Sequence, residues 1–95
     1  MCTMIVEQAA LSGSAKGALG WFPVAQANVL YDHPFHAPLD HALMIDFVNP
    51  ALGLDARVSV ELTPDTARAL VAAVEAALAR GEAELAALAI GAASA

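Results

Sequence analysis

RVSVELTPD, residues 57–65, changes its period in the middle. Val58, Val60 and Leu62 alternate with Arg57, Ser59 and Glu61, the two-residue repeat of a strand with one apolar face. Thr63, Pro64 and Asp65 then read as a helix start. Thr63 caps orphan N–H groups, Pro64 suits the first helical position, and Asp65 complements the positive end of the dipole. Beyond it, Ala67, Val71, Val74, Leu78, Gly81, Leu85, Leu88 and Ala92 are spaced 4, 3, 4, 3, 4, 3 and 4. That is a heptad seam. It favours one helix over 63–92, about 43 Å long, with Gly81 as a close-approach point. The rival is a helix that stops at Gly81 and a second that begins near Glu82. A small sheet of short strands does not need that much cover, so the surplus predicts a homodimer through the C-terminal helix.

Upstream, residues 41–48 form another strand. His41, Leu43, Ile45 and Phe47 fall on one face, and Ala42, Met44, Asp46 and Val48 on the other. Asn49-Pro50 and Gly53 make the turn between these strands. Residues 21–31 are β-prone, and Pro23 puts that strand at an edge or delays its start to Val24. SGSAKGALG, residues 12–20, reads as a loop or hairpin turn, and residues 3–11 as a first strand. The expected fold is α+β: one domain over 1–95, with an antiparallel sheet of about four strands packed with one long C-terminal helix.

Ten acids against four bases give a net charge of −6, which opposes nucleic-acid and membrane-surface binding. Hydrophobic residues are 59%, but many are alanines with little area to bury. The five aromatics, Trp21, Phe22, Tyr31, Phe35 and Phe47, place the bulky core between 21 and 47. MCTMIVEQ has no basic leader pattern, and the apolar run 85–93 is too short for a bilayer. With one cysteine, the expected setting is cytoplasmic.

All three histidines, His33, His36 and His41, lie in DHPFHAPLDH, residues 32–41. Neutral imidazole binds Zn(II) and Fe(II) well, and catalytic zinc commonly takes three protein ligands and a water. Pro34 and Pro38 stiffen the loop, lowering the entropy cost of a binding shape. Asp32, Asp40 or Asp46 can bond the far ring nitrogens. Cys2, as the mature N-terminus after methionine removal, can add a thiolate. The expectation is a divalent ion on His33, His36, His41 and Cys2, zinc first and Fe(II) second. Two other readings stand beside it: a metal-free acid/base site, and structural histidines on a polar loop. Cys2 has its own alternative as a small buried hydrophobe.

Asp46, between Ile45 and Phe47, is half-buried or faces a site. It can pair with Arg57, bond a histidine or act as a general base, and Asp40 is the second candidate base. Ser12, Ser14 and Lys16 suggest an anion nest only weakly, and a flexible turn accounts for them better. Trp21 and Phe22 can line a pocket or belong to the core.

MCT, SGSAKGALGWFPV, YDHPFHAPLDHALMIDFVNP and ARVSVEL together resemble a family of small actinobacterial proteins of unknown function. The resemblance covers roughly residues 1–80 and rests on Cys2, Lys16, Gly17, Gly20, Trp21, Phe22, Asp32, His33, Pro34, His36, His41, Asp46, Phe47 and Asn49. Asp40 stands where relatives often carry Glu. The resemblance implies a cytoplasmic protein of a high-GC bacterium and brings no activity with it.

Two functions compete. One is a small mononuclear metalloenzyme doing hydrolase or lyase chemistry on a small molecule. The other is a non-catalytic metal or ligand module, or a dimeric assembly protein.

Overall fold

A computed structural model describes residues 5–94, and side chains for residues 5–91. The fold is α+β. Four antiparallel strands run in sequence order: β1 Ile5–Gly17, β2 Gly20–Asp32, β3 Ala42–Val48 and β4 Arg57–Leu62. A short 3-10 turn, Pro50–Leu52, separates β3 from β4, and the helix α1 spans Pro64–Ser94. The chain divides into two compact units, the sheet up to Pro64 and the helix from Asp65.

The alternation read from the sequence survives in the register. Asn28, Asp46 and Ser59 are direct neighbours across three strands, so they share a face. Leu30, Met44 and Glu61 form the next row of that face. The opposite face carries Val29, Ile45 and Val60, then Ala27, Phe47 and Val58.

Residues 12–17, expected as loop, continue β1, and the hairpin turn shrinks to Ala18-Leu19 between the paired glycines Gly17 and Gly20. The glycines are turn and bulge chemistry rather than loop chemistry. Ala10 pairs with Gln26 and Gly13 with Val24, so β1 carries one extra residue, a bulge. Gly20 has φ 108°, a conformation L side chains rarely adopt. At Gly17 a Cβ would stand 3.2 Å from Phe22 Cε1 and 3.3 Å from the Arg57 carbonyl oxygen. The hairpin end therefore approaches the start of β4 closely.

Pro23 lies in a central strand, paired with Ser14, rather than at an edge or before the strand start. It is tolerated because β3 pairs with β2 only from Gln26 onward. Its carbonyl accepts a bond from Asn49 Nδ2 at 2.7 Å.

The bulky-core expectation needs correction. Trp21 is 71% exposed and Phe35 93% exposed, because they sit beside a hairpin turn and in a loop. The buried apolar side chains described are Ala27, Ala42, Met44 and Ala56.

The helix begins at Pro64, with Asp65 in its first turn bonded to Arg68 at 3.3 Å. It runs unbroken through Gly81 for 31 residues, about 46 Å. Alanine-rich sequence favours this length. No described helix is long and apolar enough to cross a membrane.

Gly20→Ala should lower the unfolding free energy by about 1–2 kcal/mol in urea titration, through strain at positive φ. Gly13→Ala, with open space around its Cβ, should change it by less than about half that.

Candidate metal centre and the adjoining cleft

The last cross-strand pair of the β2–β3 hairpin is Asp32 with Ala42. His33 and His41 are the residues just outside it, one on each side of the loop. An antiparallel ladder brings such positions within about 5 Å. Their ring centroids are 4.7 Å apart, tilted by 31°. Tyr31 stacks on His41 with centroids at 5.8 Å and planes 18° apart.

His33 Nδ1 lies 2.7 Å from the Asp40 carbonyl oxygen. A carbonyl only accepts, so this contact needs the Nδ1–H form, and the lone pair of the neutral ring is then on Nε2. Asp40 thus orients His33 through its backbone rather than its carboxylate. Asp32 Oδ1 accepts the His33 backbone N–H at 2.7 Å, not a ring nitrogen.

His36 is placed differently. It lines an open cleft of about 670 Å³ with Phe35, Ala37, Arg57, Ser59 and Glu61. Its backbone N–H donates to Glu61 at 3.1 Å and 3.3 Å. Cys2 lies outside the described residues. Among the described residues, no group of three or more His, Cys, Asp and Glu side chains is arranged to hold a metal ion. Of the expected ligands, the structure brings together His33 and His41.

Asp46 is engaged at both oxygens. Arg57 Nη2 donates to Oδ2 at 2.9 Å, and Ser59 Oγ to Oδ1 at 2.7 Å. Arg57 Nε in turn donates to Ser59 Oγ at 3.0 Å, closing a three-membered polar ring on β3 and β4. With Arg57 half exposed, the ion pair is worth at most about 1 kcal/mol. On the same face Gln26 Nε2 donates to Asn28 Oδ1 at 2.6 Å. Trp21 and Phe22 line a separate small pocket of about 150 Å³ with Leu19, Leu52 and Asp55.

Glu61 is the residue that sequence reasoning passed over. Its carboxylate accepts the backbone N–H groups of Phe35, His36 and Ala37. The alternation of β4 places it on the polar face, but nothing local shows that it reaches a loop 24 to 26 residues away. The one available signal was a loop with N–H groups in need of acceptors.

Set against known proteins, residues 1–87 match a family model described as Family of unknown function (DUF6295). The chain belongs to this family. No curated protein and no solved structure matches it. The DUF6295 match takes in the whole sheet, the histidine loop and the helix as far as Ala87, past Arg80 where the resemblance read from the sequence ends.

In this DUF6295 chain, donation from Ala37 and then from Phe35 and His36, helped by the nearby His36 charge, holds the Glu61 carboxyl below its ordinary 4.5 against some desolvation. A folded pKa below the unfolded one stabilises above the unfolded value and is lost as pH falls through the folded value. The amide resonances of Phe35 and Ala37 should therefore titrate together with a midpoint below 4.5, read by nitrogen-15 NMR. A midpoint at or above that value would contradict the assignment.

Proposed function

We propose that this chain is a small metal-binding protein whose ion is gripped first by His33 and His41, with zinc preferred and Fe(II) second. The observation that carries the reading is the ring pair at 4.7 Å, with one ring held by a backbone carbonyl. Two imidazoles on a tetrahedral zinc have centroids about 5 Å apart, given Zn–N bonds of about 2.0–2.1 Å. Ligating histidines also commonly donate their other N–H to a carbonyl or carboxylate, which fixes the tautomer.

The third ligand in this reading is Cys2. Ile5 pairs with Tyr31, next to the ring pair, and three residues of chain reach about 10 Å. His36 joins the set only by turning out of its cleft. With three protein ligands and one open position, the ion supplies an activated water or a polarised carbonyl for hydrolase or lyase chemistry on a small molecule. Asp40 then serves as the orienting partner of His33. Asp46 lies five residues along β3 from His41, bonded to Arg57 and Ser59 on the other face of the sheet, so it takes no part at the ion in this reading. A closed shell would make the protein a non-catalytic metal module instead. A cytoplasmic setting, where a thiol stays reduced, suits Cys2 as ligand, and an actinobacterial source suits the alanine-rich composition.

Elemental analysis of protein purified without a polyhistidine tag tests this. About one zinc per chain is expected, reduced several-fold by His33→Ala or His41→Ala and retained in His36→Ala. Metal-free protein that takes up no added zinc, or full retention in both His33→Ala and His41→Ala, would sink the reading.

A second observation favours self-association through the helix. Leu78, Leu85 and Leu88 on the seam are 57%, 68% and 69% exposed, and covering half of a leucine is worth about 1 kcal/mol. Among the described residues, and apart from the helix's own neighbouring backbone, no atom lies within 4 Å of a Cβ placed at Gly81, so its seam position suits close approach by a second copy. The homodimer reading expects sedimentation at twice the chain mass, shifted to monomer by Leu85→Glu. A monomeric wild-type protein at tens of micromolar would end it.

A further inference from the structure

Every backbone N–H between Pro34 and Pro38 goes to one side chain. Phe35 N donates to Glu61 Oε2 at 2.5 Å and Ala37 N to Oε1 at 2.8 Å. His36 N lies between the two oxygens, at 3.1 Å from Oε1 and 3.3 Å from Oε2. The flanking prolines have no N–H to give. Successive N–H groups converging on a negative charge make a backbone anion nest. In this protein the anion is the chain's own carboxylate, delivered from β4, where Glu61 pairs with Met44 of β3.

We infer that Glu61 is the positioning residue of the histidine loop: by filling the nest of Phe35, His36 and Ala37 it fixes the loop path that orients His33 against His41. No contact between Glu61 and either ring is needed, because the loop's own bonds carry the effect. Glu61 holds Ala37 N, the Ala37 carbonyl accepts Leu39 N at 2.9 Å, and the next residue, Asp40, presents its carbonyl to His33 Nδ1 at 2.7 Å. The pairing of Asp32 with Ala42 fixes where the two histidine backbones lie. The loop between them decides how the His33 ring is turned. Removing the carboxylate frees three N–H groups at once, and the chain from Ala37 to Asp40 loses its anchor to the sheet. The functional consequence rests on the metal reading, but the structural claim does not.

The test uses the full chain, without metal first. In Glu61→Ala, nitrogen-15 NMR should show the amides of Phe35, His36 and Ala37 moving toward random-coil shifts, and the His33 ring losing its single Nδ1–H tautomer pattern. Added formate at about 100 mM should restore both, since a small carboxylate fits the emptied nest. Glu61→Gln keeps the size and one accepting oxygen, so it guards against a folding failure; it should show the same changes, smaller. Zinc affinity, measured afterwards, should fall about tenfold in Glu61→Ala and recover with formate. An unchanged His33 tautomer pattern in both variants would overturn the inference, whatever the metal result. If wild-type protein binds no zinc while the NMR changes occur as described, the metal reading fails and the positioning role of Glu61 stands.

Discussion

The cross-strand pair of Asp32 with Ala42 is the constraint on which the candidate site depends. It closes the β2–β3 hairpin, so the first and last residues of the loop must face each other at cross-strand distance. Both are histidines. A register shift by one would turn every side chain of β3 to the other face, moving Met44 out of its buried place, where it is 6% exposed, and parting Asp46 from Ser59. The packing of the sheet and the meeting of the imidazoles are thus secured by the same ladder.

Around that ladder the polar face is organised by two carboxylates with different partners. Asp46 closes a ring with Arg57 and Ser59, so its charge is matched within the sheet. Glu61, two residues after Ser59 on β4, spends its charge on the histidine loop. One strand therefore supplies a structural ion pair at Arg57 and a loop anchor at Glu61. The cleft between them, edged by His36, has about 670 Å³ of room, enough for a small molecule.

Much of the fold was legible because its signals are local. Val58, Val60 and Leu62 alternate, Thr63-Pro64-Asp65 marks the helix start, and the heptad continues through Gly81, which does not interrupt the helix. Residues 12–17 misled because glycine and serine serve bulges and two-residue turns as readily as loops. Pro23 misled because a central strand need not be paired on both sides along its whole length. At the site, the clustering of histidines was visible. Their division was not, since it depends on tertiary partners: His33 on the Asp40 carbonyl, His36 on Glu61 and the cleft. Glu61 itself looked like one more polar residue on a solvated face.

X-ray absorption at the zinc edge of the zinc-loaded chain tests the central claim most directly. The account predicts two imidazole shells and one sulfur at about 2.3 Å, with the imidazole signal weakened when either His33 or His41 is replaced. A spectrum of light oxygen and nitrogen scatterers with no imidazole signature, unchanged by those replacements, would contradict it.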